Sequence, residues 1–159
     1  WLAKKLDYSA SWGPRVTLKI TTDGDGTCLL VVRLPSGRRL FYRDIATEAD
    51  PFDDTTFGDA IMYSGVDPKN KQWNRLKLYG GKIVEHITQA TARDVMASLM
   101  LRIPRDLIGT VHDELIYEKS DREAKHFIES LKKEAVVVPA WIPGLPLAVD
   151  IKSSRRYGK

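Results

Sequence analysis

Hydrophobic and polar residues alternate along residues 16–21 (VTLKIT), a turn sequence Asp23-Gly24-Asp25-Gly26 follows, and residues 28–34 (CLLVVRL) run back. A period of two marks a half-buried strand, and Gly supplies the positive φ that hairpin turns need. Pro35-Ser36-Gly37 predicts a second turn and residues 39–43 (RLFYR) a third short strand, so an N-terminal antiparallel meander is expected. Residues 44–59 carry Asp44, Glu48, Asp50, Asp53, Asp54 and Asp59 with no Lys or Arg, and read as a solvated acidic loop. Residues 69–82 reverse the sign: Lys69, Lys71, Arg75, Lys77 and Lys82 are interleaved with Trp73, Leu76, Leu78 and Tyr79, the pattern of a strand with one basic face.

Gly80-Gly81 breaks the chain, and residues 82–101 predict a long helix. Val84, Ile87, Thr91, Val95 and Leu99 recur at spacings of three and four, one apolar stripe, while His86, Gln89 and Arg93 fall on another face. Pro104 stops the helix. Residues 107–111 and 115–118 are apolar and β-prone, with His112-Asp113-Glu114 between them. Ser120-Asp121-Arg122-Glu123 has the form of a capping box opening a second helix, whose apolar face is Phe127, Ile128 and Leu131. The tail from 136 starts as a Pro-rich loop, and residues 147–151 predict a last strand.

Composition narrows the class. The chain has 159 residues, 43% of them hydrophobic, about one domain's worth and enough to bury a core without a disulfide. Cys28 is the only cysteine, which excludes an intrachain disulfide and fits a reducing compartment. No apolar run reaches the ~18 residues of a membrane span. The net charge of +4 permits a nucleic-acid partner. Trp1 stands where an initiator Met would, so the chain is expected to be processed or cut from something longer.

Two clusters invite a metal. Asp23-Gly24-Asp25-Gly26 superficially resembles a calcium loop, but Cys28 occupies the position where that loop has Gly and Leu34 the position of its last Glu. Val111-His112-Asp113-Glu114-Leu115 is different: a turn there presents three ionisable side chains at the end of two strands. Adjacent carboxylates repel unless a cation relieves them, and Mg²⁺ favours one or two carboxylates plus substrate phosphates. A plain polar hairpin turn is the competing explanation, since Asp is common in turns.

A helix bearing Gln89, a hairpin tipped by VHDEL and a second helix together resemble the C-terminal palm of family A (polymerase I type) DNA polymerases. VHDE resembles that family's motif C, and residues 87–97 (ITQATARDVMA) its preceding helix. Leu34-Pro35-Ser36-Gly37-Arg38 with Tyr42, Tyr79-Gly80-Gly81-Lys82, Trp141, Gly144-Leu145-Pro146-Leu147 and Arg156-Tyr157-Gly158-Lys159 bring the likeness nearer to phage-encoded members. The resemblance implies that Asp113 binds catalytic Mg²⁺ and that Glu114 is a supporting, weaker ligand. It implies that His112 lies near the primer end and that Gln89 hydrogen-bonds in the duplex minor groove, where the acceptors are similar for all base pairs. Arg93 is assigned to a phosphate contact or to support of the hairpin, and His86 replaces an Asn of many relatives at a second DNA contact.

The family's motif A, DYSxxELR, is not found; Asp7-Tyr8-Ser9 begins like it, but Ala10-Ser11-Trp12 lacks the Glu and Arg that should follow. The fingers helix that grips the incoming nucleotide is not found either. The expected fold is α+β: an antiparallel palm-type sheet with helices on one face, plus the N-terminal meander. Residues 1–159 are expected to be one domain, the palm fragment of a larger polymerase, with a strand-rich meander and acidic loop over 1–68 and the motif C region over 69–159. The function implied is part of a DNA-directed DNA polymerase, acting on primer-template DNA and dNTP with Mg²⁺ and with the remainder of the polymerase chain. One carboxylate of its two-metal site would lie outside these residues, so the fragment alone is expected to be inactive. Two alternatives stand: a non-catalytic duplex DNA-binding module using the 69–82 strand and the Gln89 face, and a metal-dependent hydrolase using His112, Asp113 and Glu114.

Overall fold

A computed structural model describes residues 16–49 and 59–157. Asp7-Tyr8-Ser9, Asp50, Asp53, Asp54 and the final Gly158-Lys159 lie outside the described residues. The fold is α+β, in two compact units that divide after Thr91.

The first unit is built on a five-stranded antiparallel meander, β1 (Thr17–Thr22), β2 (Cys28–Arg33), β3 (Arg39–Ala49), β4 (Asp59–Val66) and β5 (Trp73–Leu78), paired in chain order. The Asp23–Gly26 turn forms as its residues dictate. Gly26 takes φ +84°, and the Asp23 carboxylate accepts from the Thr27 amide at 3.1 Å. Arg43 of β3 pairs with Asp23 at 3.0 Å and with Asp25 at 3.4 Å and so offsets part of the turn's negative charge. At the second turn the Gly37 amide donates to the Leu34 carbonyl, with Gly37 at φ +90°.

Two expectations are corrected here. The third strand does not stop at Arg43, and the acidic stretch is not wholly loop: β3 continues to Ala49, and β4 begins at Asp59. Arg43 faces Ser64 and Ala46 faces Met62, so Asp44 and Ile45 together oppose Tyr63, which makes a β-bulge. Asp44 takes φ +53°, a conformation Asp tolerates better than most residues. The bulge interrupts the two-residue repeat, which is why the hydrophobic pattern fades at Asp44. Beyond it Ile45, which plain alternation would turn outward, is buried with Leu30, Val32, Tyr42 and Leu78. Ile61, Tyr63 and, from the following helix, Ile83 and Ile87 pack against this cluster. Val32 is 0% exposed. Burying a side chain of this kind contributes about 1.5–3 kcal/mol.

Helix α1 (Gly80–Arg102) includes the two glycines that were expected to precede it. Its inward residues at this end are Ile83 and Ile87, while Val84, assigned to the apolar stripe, is 62% exposed.

The second unit holds the rest of α1, the hairpin β6 (Leu107–Val111) and β7 (Glu114–Tyr117), and α2 (Asp121–Ala135). Arg102 closes α1 onto α2, donating to the carbonyls of Glu134 (2.8 Å) and Val137 (3.2 Å). The hairpin is anchored at its base. Tyr117 donates its hydroxyl to the Ile103 carbonyl at 3.1 Å and packs on Phe127, and Lys119 pairs with Asp106 and lies 5.1 Å over the Phe127 ring. The capping-box residues meet each other instead of the backbone: Ser120 donates its hydroxyl to the Glu123 carboxylate at 2.7 Å, and no side-chain bond caps the helix amides. Residues 147–151 are not a strand, correcting the last predicted element.

Candidate functional site

The tip of the β6–β7 hairpin is a two-residue loop, His112-Asp113, between the facing pair Val111 and Glu114. His112 takes φ +51° and Asp113 does not share the positive sign, the pattern of a type II′ turn, where Gly is the usual first residue. A non-Gly residue held there is strained, and such strain is concentrated at working sites. His112, Asp113 and Glu114 are all exposed. They are thus brought together on one turn, as the sequence predicted.

Glu114 has one partner that sequence reasoning missed. The Tyr157 hydroxyl donates to its carboxylate at 3.0 Å, across 43 residues of chain. That bond raises the Tyr157 phenol pKa above its usual value. It also steadies one of two adjacent carboxylates and leaves the other, Asp113, as the one open to a ligand. The donor set suits a hard cation: two carboxylates, exposed and next to each other in sequence. Among the described residues no three His, Cys, Asp or Glu side chains gather to enclose a metal.

The helix residues split by environment. Gln89 and Arg93 are exposed; Gln89 donates to Glu85 at 3.3 Å, and Glu85 pairs with Lys82 at 3.0 Å. The Lys82 bond holds the Glu85 carboxyl below its usual range. His86 is half-buried. Its Nδ1 shares a 2.9 Å hydrogen bond with the Tyr42 hydroxyl, and the two rings stack at 5.9 Å between centroids. Burial, then the Lys82 charge, lowers the His86 pKa, and burial pushes the Tyr42 phenol up to about 12. Arg38 donates to the Ala90 carbonyl at 2.7 Å, so two residues of the 34–42 segment brace the start of this helix.

The basic 69–82 strand is less available than its composition suggests. Arg75 lies within 3.0 Å of Asp44, 3.1 Å of Ser64 and in contact with Glu48. The bulge residue and the extended end of β3 therefore spend their charge on β5.

Comparison with known proteins fits this arrangement. Over 127 residues the chain is 39% identical to the DNA polymerase of Bacillus phage SP02. It is similar to a segment of a phage DNA polymerase. The match covers 77% of this chain and 18% of that polymerase, so the chain spans less than a fifth of its relative's length. No family model and no solved structure matches. Among the described residues no helix is long and apolar enough to cross a membrane.

Proposed function

We propose that the chain is the C-terminal palm portion of a family A DNA polymerase, carrying motif C at the β6–β7 tip. The observation that carries this is the coincidence of two facts: sequence identity to a phage DNA polymerase over most of the chain, and a strained two-residue hairpin that exposes Asp113 and Glu114 together. The complete enzyme would add a dNTP to a primer 3′ end in the cytoplasm of a phage-infected cell. Bound Mg²⁺ would neutralise charge on the transferring phosphoryl group and polarise its oxygens.

Within this chain Asp113 is assigned as the main metal ligand. Glu114, held by Tyr157, is the supporting carboxylate. His112, strained at the tip, faces the primer end. Gln89 and Arg93, exposed on α1, contact the duplex. His86 serves as a brace through Tyr42 rather than as a free DNA-reading side chain. A two-metal site must clamp attacking and leaving oxygens from both sides, and two carboxylates adjacent on one turn approach from one side only. The partner carboxylate is therefore assigned to a part of the polymerase outside this chain.

Primer extension tests the proposal. In a polymerase containing these residues, Asp113→Ala lowers kcat by more than about 100-fold. Glu114→Ala falls in the ~10–100-fold range typical of groups that support a metal ligand. The 159-residue chain alone gives no templated incorporation. Equal effects of the two substitutions, or incorporation by the chain alone, would overturn it. The pairing of Arg75 with Asp44 and Glu48 takes up one of the cations of the 69–82 strand on which a stand-alone duplex-binding module would draw.

A further inference from the structure

The sheet has two faces, and only one is covered by α1. Directly opposed residues share a face, so Lys19, Val31 and Phe41 form one cross-strand row on the outer side. Arg43 faces Ser64; two residues before Arg43 comes Phe41 and two after Ser64 comes Val66, which in turn faces Trp73. The row therefore crosses the sheet from Lys19 to Trp73. Phe41 is 58%, Val66 54% and Trp73 63% exposed, whereas Ala60 and Met62 further along β4 are buried.

The neighbouring row places Arg33 opposite Arg39. Like charges directly opposed in a sheet are unfavourable, and neither Arg has an ion-pair partner among the described residues. Arg43 and Arg75, on the far side of the aromatic row, are paired with acidic side chains; among the described residues Arg33 and Arg39 have no such partner. Two exposed aromatic rings beside an uncompensated cation pair meet the two requirements of single-stranded nucleic acid. Its bases have flat faces to stack on aromatics, and its phosphates need cations.

We propose that the outer face of the sheet is a platform for single-stranded nucleic acid. Bases stack on Phe41 and Trp73, and phosphates bridge Arg33 and Arg39, with Lys19 at the end of the row. The platform is separate from the hairpin chemistry and stands on the outer face alone.

The test uses the full 159-residue chain and a fluorescent oligo(dT) of about 15 nucleotides, within the ~4–16-nucleotide span of such platforms. Anisotropy is read between roughly 50 and 200 mM salt. Phe41→Ala and Trp73→Ala each weaken binding about 5–150-fold, the range for losing one base–aromatic stack. Arg33→Ala and Arg39→Ala each reduce the slope of log affinity against log salt by about 0.7. Asp113→Ala leaves binding unchanged, which separates this site from the polymerase chemistry. Circular dichroism checks that each variant folds; all four side chains are exposed, so they should. Absence of binding, affinity unmoved by the four substitutions, tighter binding to the same-length duplex, or a self-association abolished by Trp73→Ala would each overturn the proposal.

Discussion

Tyr42→Phe isolates the brace between the sheet and α1. The Tyr42 ring is buried and meets Tyr63 edge-on at 5.2 Å, and Phe preserves both features. Only the hydroxyl is lost, together with its 2.9 Å bond to His86 Nδ1. A hydrogen bond of this kind contributes a net ~0.5–1.5 kcal/mol. Because His86 keeps partial access to water, it recovers some of the loss, so a destabilisation of about 1 kcal/mol is expected. With a urea m-value of ~1–3 kcal/mol/M, the denaturation midpoint falls by roughly 0.3–1 M. The same pair sets a pH dependence. Burial and the Lys82 charge lower the His86 pKa, so the unfolded chain binds a proton that the folded chain refuses. This contribution is whole above the ordinary His value of ~6.5 and is lost as pH falls through it toward the lowered folded value. Glu85, the acidic neighbour, opposes the shift and does not reverse it. Urea titrations followed by circular dichroism at about pH 7.5 and pH 5.5 bracket the transition. His86→Asn keeps a polar side chain without titration and should shrink the difference between the two midpoints. A Tyr42→Phe midpoint equal to wild type, or a pH difference unchanged by His86→Asn, would refute the brace.

Three other outcomes follow from the geometry. Leu78→Ala removes a side chain that is almost fully buried in the sheet core and should destabilise the chain by about 2–5 kcal/mol, read from the urea midpoint. Arg75→Ala unpairs Asp44 and Glu48; because these groups are partly exposed the loss is held to about 1 kcal/mol, and raising salt should narrow the gap to wild type. His112→Gly relieves the φ +51° strain at the hairpin tip and should raise thermal stability by up to about 1 kcal/mol, while lowering primer extension in a complete polymerase.

Elements with a clean period and a chemical stop were legible in the sequence. The first hairpin, the long helix ended by Pro104 and the VHDEL hairpin all stand close to where their patterns put them. Helix α2 likewise begins beside Ser120. The failures have physical causes. Extension of β3 past Arg43 was hidden because the bulge at Asp44 breaks the alternation from which strands are read. The β4 strand was hidden in turn: in DAIMYSGV buried Met62 sits between inward Ile61 and Tyr63, so the two faces do not differ in hydrophobicity. Residues 147–151 have strand-like composition, yet a strand also needs a partner, and none forms among the described residues. At the site, Asp113 and Glu114 announced themselves by adjacency between two apolar strands. Tyr157 could not, because only the folded chain brings residue 157 to residue 114. His86 looked like part of a polar helix face with Gln89 and Arg93, and its contact with Tyr42 depends on the sheet beneath it.

The bulge in β3 makes residue count, as well as residue type, part of the code. Before Asp44 the odd-numbered positions Arg39, Phe41 and Arg43 face outward; after it Ile45 faces inward and Glu48 reaches Arg75 on the outer side. One extra residue thus switches the parity of the strand. Deleting a single residue between Arg43 and Ala46 would restore an unbroken repeat and rotate everything after it by half a turn. Either Ile45 leaves the core and Glu48 leaves Arg75, or the earlier half gives way instead. Substitutions should therefore be tolerated more readily in this strand than insertions or deletions, whatever the chemistry of the residue involved.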